Sequence, residues 1–314
     1  MAEKRKKQKM EYRYYQMPPG SPILALVGDK WVQNYGNNIK DWLHFHNYME
    51  IGYCYFGEGV VRLGDEDYRF SGNQFTVIPP NFPHTTNSDP GNLSRWEYLF
   101  VDVSEILKSC LSDNVIKRKR IKERLYDNAV FFEESAHPKA AAKVLEVLDI
   151  MRRADEFYIE EAKGIMMSFL AEIARISRHD EEDRDNMESG RITHIVSRAM
   201  DYISEHYMED VRVDDIAEYC HVSETHFRRV FSDYMNMGPL EYINTVRIRT
   251  ACEHLKKTDD SVADIAGKCG FTTNSTFNRN FKSILGVTPV EWRKRPENYE
   301  QTVLKSEIHT EKGW

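Results

Sequence analysis

The sequence predicts a two-domain protein in which a β-rich N-terminal domain with two supporting helices is followed by an all-α domain. Three observations lead to this fold class. Short runs of Val, Ile, Tyr and Phe broken by Gly and Pro fill residues 20–110, which is typical of a sandwich or small barrel. Apolar residues recur at three- and four-residue spacing from about residue 138 onward. Residues 180–190 carry six acids against one base without apolar periodicity, which predicts a solvated linker.

These patterns divide the chain into six segments. In order they are a basic tail at 1–19, a β-domain at 20–110, a helical support segment at 111–179, an acidic linker at 180–190, a helical domain at 191–296 and a polar tail at 297–314. The basic tail holds five Lys and Arg side chains between residues 4 and 9. The two helices of the support segment are too few for a domain of their own. We therefore expect them to pack on the β-domain or on a second copy of it.

Composition limits the class of protein. Hydrophobic residues make up 41% and charged residues 30% of the 314 residues, a balance too apolar for disorder and too charged for a membrane protein. The sequence contains neither an apolar run long enough to span a membrane nor the core of a signal peptide, so we expect a cytoplasmic protein without a membrane partner. The five cysteines are an odd number without close pairs, which favours buried thiols over disulfides or a zinc site.

An internal repeat organises the helical domain. Asp215-Ile216-Ala217 recurs as Asp264-Ile265-Ala266, 49 residues later. In each copy a short amphipathic helix is followed by a tight connection, and then by a second helix that opens beside a hydroxyl residue able to cap it. Two helices joined by such a turn predict a helix-turn-helix, here present twice. Further residues recur at an offset of 50, namely Phe227, Arg229, Phe231, Pro239 and Glu241 as Phe277, Arg279, Phe281, Pro289 and Glu291.

The second helix of each copy leaves one face free. At 100° per residue, an apolar stripe of Phe227, Val230, Phe231 and Tyr234 faces inward in the first copy, and Phe277, Phe281 and Ile284 form the stripe of the second. Arg reads guanine with two donors, Asn pairs with adenine, and Lys and hydroxyl groups hold the backbone. A solvated face is the alternative for one such helix, but two matching copies favour DNA. The residues on these faces that are expected to contact DNA are Thr225, Arg228, Arg229, Ser275, Asn278, Arg279 and Lys282.

A third helix is predicted between the two copies, from about Leu240 to Lys257. At 1.5 Å per residue it would be roughly 26 Å long. A rigid connector of that length would set the two reading helices in successive major grooves, which lie about 34 Å apart on one face of the duplex. One chain would then read two groove segments without a dimer.

The second copy carries a specific motif. It consists of Ser261–Phe271, Phe277–Lys282 and Leu285–Pro289, followed by Trp292-Arg293. This motif resembles the signature of the AraC/XylS transcription regulators. The resemblance implies seven helices with two helix-turn-helix units. It also implies DNA contacts at the matching positions, which are Thr225, Arg228, Arg229, Asn274, Ser275, Asn278 and Arg279. In the first copy Asn236 stands where the second has Gly286, and asparagine also tolerates the left-handed conformation of a helix C-cap.

A second constellation lies in the β-domain. His44 and His46 precede Glu50, and His84 follows Pro79-Pro80-Asn81. The pattern resembles the two motifs of the cupin barrel, although Asn38 and Asn81 stand where each motif has a glycine. Alternation puts His44 and His46 on one strand face, with Glu50 if that strand continues without a bulge, and His84 on a neighbouring strand. The resemblance implies that these four positions are the ligands in cupins that bind a first-row divalent metal.

Two uses of these four side chains stay open. Sensor cupins attached to AraC-type units resemble this chain and usually bind an organic effector without metal. The favoured interpretation is therefore an effector site, with a sugar as one candidate ligand and no cofactor, and a divalent metal is the alternative. Trp31, Tyr53 and Trp96 suit stacking on a sugar ring near the mouth of the barrel, and each would also serve as a core residue.

Together the patterns predict a transcription regulator controlled by a small molecule. The barrel would bind the effector, and the C-terminal units would bind a promoter in double-stranded DNA. We expect no catalytic residue, a homodimer supported by the two helices at about 138–178, and RNA polymerase as a partner if the protein is an activator. One alternative is a metal-dependent cupin dioxygenase or isomerase fused to a DNA-binding module. The other is a constitutive structural or nucleoid protein whose barrel only dimerises.

The net charge of −7, taken alone, argues against a nucleic-acid partner. The distribution of charge along the chain removes this argument against a nucleic-acid partner. Residues 191–224 carry three bases and eight acids, whereas residues 225–295 carry twelve bases and seven acids. The expected reading surface is therefore locally basic. We expect modest non-specific affinity, with binding that depends on base contacts and on dimerisation.

Overall fold

The structure is a computed structural model that describes residues 10–15, 17–36, 43–64, 66–176, 188–235, 237–294 and 308–311. The chain forms two compact units, which are treated separately below. The first contains the described residues up to 194 together with 308–311, and the second contains residues 195–294. The five bases of the basic tail, most of the acidic linker, Asn38 and Asn236 lie outside the described residues.

The first unit is built on two β-sheets. Among the described residues, all strand pairings are antiparallel except that of β1 with β4. The first sheet has the order β12 (Ile308–Glu311), β1 (Met10–Tyr15), β4 (Leu43–His46), β9 (His84–Ser88), β6 (Gly59–Leu63) and β7 (Glu66–Phe70). The second has the order β11 (Val130–Glu133), β8 (Gln74–Ile78), β5 (Met49–Phe56), β10 (Ser94–Val101) and β2 (Ile23–Leu26), with β3 (Val32–Gln33) also paired to β10. This confirms the predicted β-rich, cupin-like unit.

Strict alternation along the strands divides the core of this unit in two. Side chains from both sheets meet in an interior cluster that includes Val61, Phe70, Trp96 and Phe100. The opposite face of the second sheet contributes residues such as Ile51 to a separate apolar cluster. Because successive strand residues point to opposite faces, a one-residue change of register would exchange these two sets.

Four helices cover the outer face of the second sheet. They are α1 (Val103–Cys110), α2 (Val115–Tyr126), α3 (Pro138–Arg153) and α4 (Tyr158–Ile176). Val144 and Leu148 of α3 and Phe169 of α4 are fully buried in the same cluster as Ile51 and Phe75 of the sheet. Each such side chain stabilises the fold by about 1.5–3 kcal/mol relative to exposure. The two predicted support helices are α3 and α4, and they pack on the β-domain, which was one of the two predicted arrangements. α1 and α2 are two further helices that the prediction did not include.

The predicted segment boundaries differ from the structure at three short strands. β1 lies in the expected basic tail, β11 in the helical support segment, and β12 in the expected polar tail. All three have only four to six residues, and β11 and β12 end their sheets. Pairing with a neighbouring strand defines them, as when Tyr12 of β1 pairs with Glu311. Runs this short carry too little alternation for a sequence pattern to find them.

The second unit is helical. Its described residues form seven helices, the number that the family resemblance implied: α5 (Glu188–His206), α6 (Val213–Tyr219), α7 (Glu224–Met235), α8 (Pro239–Lys257), α9 (Val262–Lys268), α10 (Asn274–Leu285) and α11 (Pro289–Arg293). α5 begins inside the segment predicted to be linker. Within the described ranges, no helix is both long and apolar enough to cross a membrane.

Local sequence signals set the ends of these helices. The Thr273 hydroxyl accepts from the Thr276 backbone N–H at the start of α10, and the Ser223 hydroxyl accepts from the His226 N–H at the start of α7. Both are the hydroxyl caps that the sequence predicts. Gly286 ends α10 with a left-handed φ of 74°. The second helix of each repeat therefore begins beside a capping hydroxyl. α10 also ends at a glycine, the residue type that adopts the left-handed conformation most easily.

Candidate nucleic-acid interface and ligand site

The reading face of the first helix-turn-helix lies on α7. Phe227 and Phe231 are completely buried, whereas Thr225, Arg228 and Arg229 are exposed. The 3.6-residue period thus separates the apolar stripe from the predicted contacts. One detail differs from the prediction, because Tyr234 is only half-buried. The adjacent Met235 is the residue that packs inside at the end of the helix.

The second reading face lies on α10 and repeats this arrangement. Phe277 and Phe281 are completely buried, and Ile284 is half-buried. On the other side, all five residues predicted to contact DNA are exposed and make no side-chain hydrogen bond or ion pair with the described part of the chain. They are Asn274, Ser275, Asn278, Arg279 and Lys282.

The arginines of the first face are held by neighbours on their own helix. Arg228 forms an ion pair with Glu224, with 2.7 Å between Nη2 and Oε1. Arg229 Nη2 lies 3.2 Å from Nδ1 of His226. Because both arginines are exposed, these contacts orient the guanidinium groups without removing them from solvent. Arg228 of the first face thus already has an anionic partner, Glu224, whereas the five residues of the second face have none among the described residues.

α8 connects the two reading helices and packs against both copies. Its 19 residues give a length of about 28 Å. Tyr242 near its start contacts Phe231 of the first copy, with 5.7 Å between ring centroids. Ile248 and Leu255 are buried in one cluster with Phe281 of the second copy. A single helix embedded in both cores fixes the spacing of the two reading faces.

The four predicted polar residues of the barrel come together in its interior. His44, His46, Glu50 and His84 are all buried. Nε2 of His46 lies 3.1 Å from Oε2 of Glu50, and Nε2 of His84 lies 3.5 Å from the same oxygen. His44 pairs with His84 across strands β4 and β9, with 4.2 Å between ring centroids. One potential ligand atom from each of His44, Glu50 and His84 falls within 4.8 Å of the others.

Glu50 reaches this cluster by a route that differs from the prediction. The strand that carries His44 and His46 does not continue to Glu50. It ends at His46, and after Asn47 and Tyr48 the chain enters β5 in the opposite sheet. Glu50 therefore faces the two histidines across the interior. The carboxylate and the imidazoles link the two sheets of the barrel.

Asn81 has the backbone conformation that the glycine of the cupin motif would adopt. Its φ is 63°, in the left-handed region that asparagine tolerates better than most residues. Asn81 is buried, and its backbone N–H donates to the His46 carbonyl over 2.7 Å. The replacement of glycine by asparagine thus preserves the turn that leads to His84.

Burial and hydrogen bonding set the protonation of the cluster. Burial, together with the neighbouring Arg13, lowers the pKa of His44 well below its usual value. Burial also lowers the pKa of His46. For Glu50, burial raises the pKa, but His84 and His46 outweigh that effect, so the net pKa lies below the ordinary range. At neutral pH the cluster therefore contains an ionised carboxylate beside the neutral imidazole rings of His44 and His46.

The Nδ1 atoms of His46 and His84 each contact a backbone carbonyl, which fixes the orientation of the ring. Nδ1 of His46 lies 2.7 Å from the Tyr48 carbonyl, and Nδ1 of His84 lies 2.9 Å from the Phe82 carbonyl. A carbonyl only accepts, so both Nδ1 atoms carry the proton, and in a neutral ring Nε2 then carries a lone pair. Nδ1 of His44 and Nε2 of His46 and His84 are buried without a well-aligned hydrogen bond among the described residues, although the two Nε2 atoms lie 3.1 and 3.5 Å from Oε2 of Glu50. These atoms are available to a ligand or a cation.

The three predicted aromatic residues have different positions. Trp96 is completely buried in the interior cluster, and Trp31 packs beside it through Tyr98. The indole nitrogens of Trp31 and Trp96 are buried without a hydrogen-bond partner in the described ranges. Tyr53 does not join them. It points to the helix-covered face of β5, where its hydroxyl donates to Glu134, because it is an odd number of residues from Glu50.

Two interior residues that the sequence patterns did not predict connect the aromatic and polar groups. Tyr98 and Phe100 follow Trp96 at alternate positions of β10 and share its face. Phe100 contacts the His46 ring, with 5.0 Å between centroids. The period of two along β10, counted from Trp96, was the signal that could have identified both.

Two family models match the chain. An AraC-like ligand binding domain matches residues 34–170, and a helix-turn-helix domain matches residues 216–295. The first match covers most of the barrel and most of the helices packed on it. The second begins in α6 and runs beyond the end of α11.

The relatives with similar sequences match about a third of the chain or less. An uncharacterised HTH-type transcriptional regulator of Staphylococcus aureus is 36% identical over 98 residues, which are 31% of this chain and 13% of that protein. An HTH-type transcriptional regulator of Mycobacterium tuberculosis is 37% identical over 83 residues, 26% of this chain and 32% of the relative. The chain thus spans well under half of the length of either relative.

Among solved structures, an AraC-type transcriptional regulator from Chromobacterium violaceum is similar at 28% identity with a TM-score of 0.31, over 32% of this chain and 94% of that one. The chain therefore carries an AraC-like ligand-binding domain over residues 34–170, followed by a helix-turn-helix domain over residues 216–295.

Proposed function

We propose that this protein is a transcription regulator that binds double-stranded promoter DNA through α7 and α10 and is controlled by a small molecule in its barrel. The observation that supports DNA binding best is the pair of matching exposed faces on α7 and α10, held by one connector helix. Arg228, Arg229 and Arg279 supply forked donors for guanine, and Asn274 and Asn278 supply the donor and acceptor pair for adenine.

Base reading is tested by comparing two duplexes. Arg279→Ala and, separately, Arg228→Ala are expected to weaken binding to the operator by about 1–3 kcal/mol, and to affect a random duplex less. Fluorescence anisotropy at fixed salt measures both, with an operator found by genome-wide DNA binding in the native host. Arg212→Ala is the control, since Arg212 is exposed but lies outside both reading faces. Equal losses on both duplexes would mean that these arginines hold phosphates only.

We propose that the effector contacts His44, His46, Glu50, His84 and Trp96. The supporting observation is the set of buried polar atoms without a well-aligned hydrogen bond among the described residues, three imidazole nitrogens and the Trp96 indole nitrogen. Leaving such groups unpaired costs about 1–3 kcal/mol each, which a ligand with matching donors and acceptors would recover. Tyr53 is left out of this proposal because it lies on the other face of β5.

A thermal-shift screen with sugars and related polar molecules tests the effector site. A ligand at 100 times its dissociation constant is expected to stabilise the protein by about 2.7 kcal/mol. His84→Ala is expected to abolish that shift. His137→Ala, which replaces a half-buried histidine just before α3, is expected to retain it. A hit that shifts both variants equally would bind elsewhere.

The same cluster supports a second candidate, a divalent metal ion. The Nε2 lone pair of the neutral His46 ring faces the ionised Glu50 carboxylate, and Nε2 of His84 lies 3.5 Å from the same oxygen. Two acceptors that face each other in this way are stabilised by a cation. The backbone carbonyls behind both rings are the hydrogen-bond partners that orient metal-binding histidines. His44, Glu50 and His84 would hold the ion, with His46 beside them. A bound ion would supply a charge to orient an anionic or hydroxylated effector.

Elemental analysis of the purified protein tests the metal. Stoichiometric manganese, iron, nickel or zinc in the wild type, lost in Glu50→Gln, is the expected result. Protein without metal that also shows no thermal shift with these ions would eliminate this candidate. It would also remove the enzymatic alternative of a metal cupin dioxygenase or isomerase.

We also propose how the protein assembles and where it acts. It would be a homodimer supported by α3 and α4, located in the cytoplasm, with RNA polymerase as a partner if transcription rises with the effector. The relatives are named transcriptional regulators, and we propose that the barrel binds its ligand without converting it. Sedimentation equilibrium tests the dimer, and chemical identification of a bound ligand before and after incubation tests for turnover.

A further inference from the structure

The ligand-binding unit carries a concentrated basic helix. Residues 115–126, which form α2, hold six basic side chains and one acidic side chain in a chain whose net charge is −7. Leu125 buries one side of α2, and Ile121 packs against the same cluster. The helical period leaves Lys117, Arg120 and Arg124 on a single stripe away from that core. These three residues are called the α2 basic stripe below.

Among the residues that the structure describes, the α2 basic stripe has no acidic partner. Lys117 and Arg120 are exposed and Arg124 is half-buried, and none of the three forms an ion pair within the described part of the chain. The other bases of α2 are engaged differently. Arg118 donates to the carbonyls of Leu111 and Ser112, and Lys122 lies over the Tyr126 ring.

The three like charges of the stripe lie close enough together to destabilise an isolated helix. Arg120 and Arg124 are four residues apart and Lys117 and Arg120 three apart, so like charges repel along one face. An anionic partner that lies along the stripe would reverse that repulsion. The stripe is about 10 Å long at 1.5 Å per residue, which suits several phosphates of one nucleic-acid strand.

We propose that the α2 basic stripe binds the phosphate backbone of the DNA that α7 and α10 read, as a sequence-independent contact from the ligand-binding unit. This inference rests on the proposed DNA-binding function. That function brings a polyanion to the same molecule, which raises the effective concentration of phosphates around α2. The contact would let the ligand-binding unit contribute to DNA affinity directly.

The test is the salt dependence of binding by the full chain to a random 40-base-pair duplex, followed by fluorescence anisotropy between 50 and 200 mM KCl. The variant Lys117→Gln/Arg120→Gln/Arg124→Gln is expected to reduce the slope of log K against log salt by about 2 to 3, because each phosphate that the protein neutralises adds about 0.9 to that slope. The matched control Lys30→Gln/Lys139→Gln/Arg175→Gln removes three exposed cations of the same unit outside α2 and is expected to keep the slope within about 0.5 of the wild type.

A charge-gain variant provides an independent arm. Glu123→Gln frees Lys119 from an ion pair of 3.9 Å beside the stripe, and a steeper slope in this variant would support the proposal.

An unchanged slope in the stripe variant would overturn the proposal and would favour an acidic protein as the partner of α2. Equal slope changes in the stripe and control variants would also overturn it, because they indicate general charge. Discrimination between operator and random duplex by the stripe variant would show that base reading is intact, so the two proposals fail separately.

Discussion

At the scale of single residues, the two repeats have different residue types at the same position of the turn between their two helices. Gly270 of the second copy has a φ of 82°, and His221, at the equivalent position of the first copy, has a φ of 57°. Both lie in the left-handed region, where a residue with a Cβ costs about 1–2 kcal/mol. A Cβ added at Gly270 would also lie 2.5 Å from the Tyr207 carbonyl oxygen. The first copy therefore accepts histidine at this turn, whereas the second requires glycine.

Gly270→Ala is accordingly expected to destabilise the protein by at least about 1–2 kcal/mol in urea unfolding. Gly267→Ala is the matched control, because Gly267 lies inside α9 with open space around its Cα. Alanine there is expected to stabilise by about 0.5–1 kcal/mol. Similar effects of the two substitutions would contradict the role assigned to the turn.

At the scale of elements, β10 separates the ligand site from the support helices residue by residue. Trp96 and Tyr98 face the interior, and Glu97 between them faces α3. The Glu97 side chain is completely buried and accepts from Arg152 Nη2 at 2.6 Å, from the Tyr55 hydroxyl at 2.7 Å and from the Gly28 N–H at 2.9 Å. One face of β10 thus contributes to the proposed effector site, and the other face contacts α3.

The environment of Glu97 predicts that the free energy of unfolding depends on pH through the contact between β10 and α3. Burial raises its pKa, but the Gly28 N–H, Tyr55 and Arg95 outweigh burial, so the net pKa is lowered. A lowered folded pKa means that its contribution is complete above the unfolded value of about 4.3 and is lost as the pH falls toward the folded value. Glu97→Gln is expected to lower the free energy of unfolding by about 1.5–3 kcal/mol at pH 6, with the difference from wild type shrinking below about pH 4.

Urea unfolding of both proteins between pH 3 and pH 6 measures this difference. Glu146→Gln, on the exposed side of α3, is the control and is expected to stay within about 0.5 kcal/mol of wild type throughout. A difference between Glu97→Gln and wild type that is constant over this range would contradict an ionised Glu97 in the folded state.

At the scale of the whole molecule, regulation requires that the barrel and the DNA-binding unit share a coupling free energy. A ligand found in the thermal-shift screen is expected to change the operator dissociation constant about 5- to 150-fold. Linkage requires the operator to change the ligand dissociation constant by the same factor. Anisotropy with and without ligand, and calorimetry with and without operator, measure the two factors. A factor of one in both would contradict regulation and favour the constitutive DNA-binding alternative.

The sequence by itself determined the features that follow from period and repetition. The helical period of 3.6 identified which residues of α7 and α10 are exposed, and the offsets of 49 and 50 identified the second helix-turn-helix. The residue types of the cupin-like motifs identified His44, His46, Glu50 and His84 before any contact was known. Each of these features can be identified from period, offset or residue type along the sequence, without knowing which strands pair.

Only the tertiary structure decided how distant strands meet. The crossing between sheets after His46 puts Glu50 opposite the histidines, and the register of β5 turns Tyr53 away from them. The short strands β1, β11 and β12 exist through pairing with partners far away in the chain, as Met10 of β1 does with Leu43. Strand pairing depends on non-local backbone hydrogen bonds, which no pattern within a four-residue run can encode.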